Sequence, residues 1–181
     1  NLAASSGATN DAQFDAVIIN GTSGDDNLTA TQAGANASVA GLKTTIAILA
    51  GDVTDAITIN SQGGNDTVNA SGMTSAFALT IDGGPGKDTI TGGSLADVLI
   101  GGDDDDTITG RQGGDGIFGG NGNDTFVWNP GDGSDILEGQ AGTDQLQFNG
   151  SNASENLDVS ANGGRVRLFR DIGNVILDCD D

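Results

Sequence analysis

Five consecutive nine-residue units run through the middle of the chain: GGPGKDTIT, GGSLADVLI, GGDDDDTIT, GRQGGDGIF and GGNGNDTFV, starting at Gly83, Gly92, Gly101, Gly110 and Gly119. Each places Asp at its sixth position (Asp88, Asp97, Asp106, Asp115, Asp124) and an apolar residue at its eighth (Ile90, Leu99, Ile108, Ile117, Phe126). A two-residue slip at Trp128 and Asn129 follows. The frame then resumes as PGDGSDILE and GQAGTDQLQ, giving Asp135 and Asp144. One such unit offers a turn of about six residues and a strand of about three, too short to stand alone. Two units make an 18-residue coil with a strand on each side and a turn at each end, and only stacked coils bury the apolar positions.

Upstream the pattern is looser. VIINGTSGDDNLT from Val17, ITINSQGGNDTVN from Ile57 and LTIDGGPGKDTIT from Leu79 align without gaps, each with a strand, a Gly-rich turn, an Asp (Asp26, Asp66, Asp88) and an apolar residue. Longer insertions separate them. TIAILAG within residues 30–56 reads as a strand. After Gln147 the repeats stop, and RVRLFR and NVILD alternate in the manner of antiparallel strands with NGG and RDIG as turns. No segment shows a sustained 3.6-residue period, so no helix is expected. The expectation is all-β: 1–82 a β extension with degenerate repeats, 83–147 the regular array, 148–181 a β cap over its end.

Stacked strands sit about 4.8 Å apart. Equivalent turns recur every 18 residues, so Asp88, Asp106 and Asp124 form one column and Asp97 and Asp115 another. Asp144 extends the first and Asp135 the second if the slip is absorbed as a bulge. Asp26 and Asp66 stand apart, having no partner 18 residues away. Bare carboxylates at that spacing repel by roughly 3 kcal/mol per adjacent pair at an effective dielectric of 20. Turn capping, in which Asp bonds its own backbone, explains a lone Asp but not seven in register. A cation between turns removes the repulsion.

Composition narrows its identity. The chain has 31 Gly, 26 Asp plus Glu against 6 Lys plus Arg, and a net charge of -20. That charge excludes nucleic acid and anionic membrane surfaces as partners. With no His and a single Cys, Cys179, there is no imidazole or thiolate ligand set, no disulfide and no Ser-His-Asp or Cys-His catalysis. Oxygen remains, which favours a hard cation. The spacing suits Ca–O distances of about 2.3–2.6 Å better than those of Mg²⁺ at about 2.0–2.1 Å. No apolar run spans a membrane, and NLAASSGATN has no classical signal-peptide pattern. The missing initiator Met and the end at Asp181 point to a piece of a longer protein.

GGPGKDTIT and GGNGNDTFV resemble the haemolysin-type RTX (repeats-in-toxin) calcium-binding nonapeptide, GGxGxDxUx with U apolar. GGDDDDTIT departs at Asp104, GGSLADVLI at Leu95 and GRQGGDGIF at Arg111. The resemblance implies a parallel β-roll, a right-handed β-solenoid, with several Ca²⁺ ions held between successive turns. The implied ligands are the carboxylates of Asp88, Asp97, Asp106, Asp115, Asp124, Asp135 and Asp144. Turn carbonyls around Gly84, Gly86, Gly93, Gly102, Asp104, Gly113, Gly120, Gly122, Gly133 and Gly142 complete them. It further implies disorder without calcium, and type I secretion from a Gram-negative bacterium to the exterior or cell surface.

The function expected is a calcium-folded module without catalysis of its own. The alternatives are a repeat segment of a large surface adhesin, the C-terminal part of a secreted hydrolase, or an ice-binding solenoid with stacked Thr89/Thr91 and Thr107/Thr109 rows. No acid–base carboxylate pair stands apart from the register. Asp103, Asp104 and Asp105 read as solvated, and Trp128, Phe126 and Phe148 as cover for the slip. Arg165, Arg167 and Arg170 answer nearby acids or sit on an outer strand face.

Overall fold

The computed structural model describes residues 16–48, 55–75, 77–162, 165–171, 173 and 175–179. Among them there is no α-helix, and two sheets face each other. One sheet has nine strands. Six are parallel: β1 (Ala16–Asn20), β5 (Ala56–Asn60), β7 (Ala78–Pro85), β9 (Val98–Asp103), β11 (Gly116–Asn121) and β13 (Ile136–Ala141). β17 (Val175–Cys179), β16 (Arg165–Arg170) and β15 (Leu157–Asn162) complete it, β17 parallel to β13 and the last two antiparallel.

The second sheet has eight strands. β14 (Gln145–Phe148), β12 (Thr125–Trp128), β10 (Thr107–Thr109), β8 (Thr89–Thr91), β6 (Thr67–Gly72) and β2 (Asn27–Ala33) lie parallel, and β3 (Asn36–Ala40) and β4 (Ile46–Ile48) follow antiparallel. The chain alternates between sheets from Leu79 to Phe148, so this is a parallel β-solenoid in which every turn crosses from one sheet to the other.

Register follows the repeat. Thr107 pairs with Thr89 and Thr125, and Ile117 with Leu99 and Leu137. The ungapped upstream alignment is realised as well: Val17 pairs with Ile57, and Ile57 with Leu79. The long insertion after Ala30 becomes the β2–β3–β4 meander. TIAILAG contributes β4, although its last residues, 49–51, lie outside the described residues, as do parts of the NGG and RDIG turns and the whole of NLAASSGATN.

The interior is two ranks of side chains deep. Leu28, Val68, Ile90, Ile108 and Phe126 come from one sheet, and Ile19, Ile59, Ile81, Leu99, Ile117 and Leu137 from the other, all buried. Each contributes about 1.5–3 kcal/mol of apolar transfer. At the C-terminal end Trp128 packs with Val175 and Leu177 in a second cluster. Trp128 stacks on Phe148 with ring centroids 4.4 Å apart and donates its indole N–H to the Gly133 carbonyl at 3.0 Å. Arg170 lies over its ring and pairs with Glu155. Trp128, at the slip, thus leaves the main core, which continues to Leu137, and seats the cap strand β17.

Strand length departs from the simple unit. β8 and β10 hold three residues, but β9, β11 and β13 run for six, continuing through the first glycines of the next unit. Gly84, Gly102, Gly120 and Gln140 pair in register, so the ladder persists into the turn. Without Cβ atoms, successive glycine backbones approach closely enough to keep pairing.

Candidate metal centre

The turns stack into two columns, and each aspartate after the first of its column holds the preceding coil in place. In the first column the backbone N–H of Asp26 donates to Asp66 Oδ1 at 2.7 Å, Asp66 to Asp88 at 2.7 Å, Asp88 to Asp106 at 2.8 Å, Asp106 to Asp124 at 2.8 Å, and Asp124 to Asp144 at 2.9 Å. In the second, Asp97 donates to Asp115 at 2.8 Å and Asp115 to Asp135 at 3.0 Å. Asp144 and Asp135 extend the columns across the slip. Asp26 and Asp66, set apart by their spacing in the sequence, belong to the first column, because the insertions leave the stack without shifting it.

The capping is therefore between coils. The Asp88, Asp106 and Asp124 carbonyls are also used, accepting from Thr107, Thr125 and Gln145. What remains is the second carboxylate oxygen. Oδ2 of Asp66, Asp88, Asp106, Asp115, Asp124 and Asp144, and Oδ1 of Asp97, are buried and accept no hydrogen bond from the protein. A buried carboxylate oxygen without a donor is costly. Seven in register are the main feature of this molecule.

The orphan oxygens of Asp88, Asp106 and Asp124 share their surroundings with a backbone carbonyl. A Cβ placed on Gly101 would overlap Asp106 Oδ2 and lie 2.5 Å from the Gly119 carbonyl oxygen. On Gly83 it would overlap Asp88 Oδ2 and lie 2.6 Å from the Gly101 carbonyl oxygen. Oxygens of two successive coils thus line a cradle that any side chain would fill. Farther out, Gly102 and Gly120, at φ of 126° and 113°, sit against the carbonyls of Gly84 and Gly102. Gly122 and Gly142 sit likewise against those of Asp104 and Gly122, Gly86 against that of Gly64, and Gly133 against that of Gly113.

Burial, first of all, raises these carboxyls from their ordinary 3.8. Asp88, Asp97 and Asp135 are pushed up to about 6, Asp106 to about 7 and Asp115 to about 8. Asp66 and Asp124 are raised as well. The N–H donated by the neighbouring aspartate, or for Asp97 by Gly93, opposes the shift, and like charges along the stack add to it in the interior of each column. Asp106 and Asp115 therefore resist full ionisation at neutral pH unless positive charge is supplied.

The donor set fits a hard dication: one carboxylate oxygen per turn, carbonyl oxygens beside it, no nitrogen or sulfur. Among the described residues no three carboxylates converge. A cation here would complete its shell with turn carbonyls.

The departures from the repeat fall into two kinds. Asp104 and Arg111 take the left-handed path of the glycine they replace, at φ of 77° and 71°. The Asp104 side chain is exposed, so it enters the array through its backbone. The turn holding Gly93 and Leu95 has no left-handed residue. There the Gly93 N–H closes back on Asp97 Oδ2 at 2.6 Å. Gly93 is thus drawn into its own turn instead of joining a carbonyl ladder.

A further row escaped the sequence reading. At position five, Asp25 Oδ1 accepts from the Asn65 N–H, Asn65 Oδ1 from Lys87, Asp105 Oδ1 from Asn123 and Asn123 Oδ1 from Thr143. Lys87 Nζ bridges to Asp105 at 2.5 Å. The signal was present in the column Asp25, Asn65, Lys87, Asp105, Asn123, Thr143, which becomes visible only once coils are aligned.

The family model described as the RTX calcium-binding nonapeptide repeat (4 copies) matches residues 80–99, 91–126 and 131–152. No curated protein matches the chain. The matched segments contain Asp88, Asp97, Asp106, Asp115, Asp124, Asp135 and Asp144, so the turns from Thr80 to Asn152 are RTX calcium-binding nonapeptide repeats, stacked as a parallel β-roll.

Proposed function

We propose that the chain is a calcium-binding structural module that folds when calcium arrives, and that it serves a secreted bacterial protein exported by type I machinery without catalysing a reaction itself. The row of buried carboxylate oxygens that accept no hydrogen bond carries this reading. Asp88, Asp106, Asp124 and Asp144 in the first column, and Asp115 and Asp135 in the second, are the proposed carboxylate ligands, while Asp97 stands in a turn that lacks the left-handed glycines. Carbonyls near Gly84, Gly86, Gly102, Asp104, Gly113, Gly120, Gly122, Gly133 and Gly142 are the proposed neutral ones. A bound cation supplies the positive charge that the stacked carboxylates lack. The protein's own part is to hold Oδ1 of each of these ligand aspartates against the previous coil, so that Oδ2 is left for the cradle.

Such coupling suits export. A chain that stays unfolded at low calcium can pass a secretion channel and then order outside, where calcium is abundant. Equilibrium dialysis followed by metal counting tests the reading. Several Ca²⁺ per chain are expected at millimolar calcium, with Mg²⁺ much weaker. No retained calcium would sink it.

A further inference from the structure

The two columns begin differently from how they continue. In the second turn of the first, Gln62 stands at position two with φ 79°, and its Nε2 donates to the Gly21 carbonyl of the head turn at 2.9 Å, reaching back one coil. In the second turn of the second column, Arg111 stands at position two with φ 71°. Its Nη1 donates to the Gly93 carbonyl at 3.4 Å and to the Ser71 carbonyl at 3.1 Å. Gly93 lies one coil back and Ser71, at the end of β6, one coil farther. Inside the first column Gly84, Gly102 and Gly120 have no side chain at this position, and their carbonyls stay within the turn ladder.

The turn that Arg111 reaches departs from the regular cradle in its backbone. Leu95 replaces the position-four glycine and no residue is left-handed, so its carbonyls are not stacked as in the regular turns, although Asp97 Oδ1 is left without a donor. A guanidinium offers fixed positive charge and several donors, which is what carbonyls of two coils need when no dication draws them together. We propose that Arg111 is a built-in cation for the head turn of the second column, holding the carbonyls of Gly93 and Ser71 where the regular turns rely on calcium. The proposal rests on the calcium reading of the remaining turns. In consequence the first turn of this column orders without its own ion, and it gives the neighbouring Asp115 and Asp135 turns an ordered edge on which to close.

The test compares R111K, R111Q and L95G/R111G with wild type in the full chain, reading the calcium midpoint by far-UV circular dichroism and ions per chain by dialysis. R111Q keeps an N–H donor but loses the charge, so its midpoint rises about fivefold, while R111K stays within about twofold of wild type. Neither changes the ion count. L95G/R111G, which restores both glycines, binds one more calcium. An R111Q chain that fails to fold at any calcium level, while R111K folds, supports the proposal equally. It is overturned if R111K and R111Q shift alike, if R111Q matches wild type, or if the double variant gains no ion. Wild type failing to bind calcium would overturn the underlying reading, and that is seen without any variant.

Discussion

The two columns of turns are built from one repeat, yet the first is longer and richer in left-handed glycines, although its opening turn also closes on itself, the Thr22 N–H donating to Asp26 Oδ2 at 2.6 Å. That column stacks six aspartates, from Asp26 to Asp144, with left-handed glycines at Gly84, Gly86, Gly102, Gly120, Gly122 and Gly142. The second stacks three, Asp97, Asp115 and Asp135, and opens on a turn closed by Leu95, Gly93 and Arg111. The carboxylate supplies the charge in both. The difference lies in the backbone. Where glycines let the carbonyls stack, the orphan oxygen faces an open cradle, and where they are missing the turn closes on one oxygen of its own aspartate and leaves the other, Asp97 Oδ1, without stacked carbonyls beside it.

The sharpest way to break this contrast is to add a single methyl group. Gly102→Ala puts a Cβ onto the Gly84 carbonyl at φ 126°. It should cost about 4 kcal/mol or more and lower the melting temperature in saturating calcium severely. Gly131→Ala, at φ 106° but with open space around it, should cost only the left-handed penalty of about 1–2 kcal/mol. Equal losses would mean that backbone conformation, not the close stacking of coils, sets the need for glycine.

Next in size is the carboxylate itself. Asp106→Asn keeps an oxygen for the Asp88 N–H but turns an N–H₂ into the cradle, so the calcium midpoint should rise about tenfold. Asp97→Asn should shift it about threefold or less, because its turn lacks the left-handed residues that stack carbonyls beside the carboxylate. A larger effect at Asp97 would reverse the ranking of the columns.

Protonation gives a third handle. Asp88, Asp97, Asp106, Asp115 and Asp135 are raised by burial from 3.8 to between about 6 and about 8 in the folded chain. The folded state therefore binds more protons. Its stability from these groups is full below about pH 4 and is lost as pH rises through about 6 to 8. Under chelation, acidification should restore part of the β signal, with protons standing in for metal. An unchanged spectrum from about pH 8 to about pH 4 would contradict it. The smallest effect is expected from Lys87→Ala. The Lys87–Asp105 pair is open to water, so the melting temperature should move by no more than about 2 °C.

The nine-residue period made the parallel stack, the apolar rank from Ile90 to Leu137 and the two aspartate columns legible in the sequence. It failed at Asp26 and Asp66, because the insertions hide a stacking that only three-dimensional register reveals. The Oδ1 ladder was invisible for a related reason. Each bond joins residues 18 to 40 positions apart, and nothing in one unit says that its aspartate caps another's backbone. Arg111 read as a defect in a glycine position. The sequence could not tell that a side chain there would keep the left-handed path and reach back to Ser71. The alternation in RVRLFR did reveal the cap, because a period of two needs no partner to be recognised.

The central claim is that the roll depends on positive charge delivered to its buried carboxylates. Far-UV circular dichroism of the chain, chelated and then titrated with calcium at neutral pH, tests it most directly. The account predicts little regular structure under chelation, a cooperative rise in β signal as calcium is added, and a much weaker response to magnesium. A chelated chain with the same spectrum and melting temperature as the calcium-loaded one would contradict it.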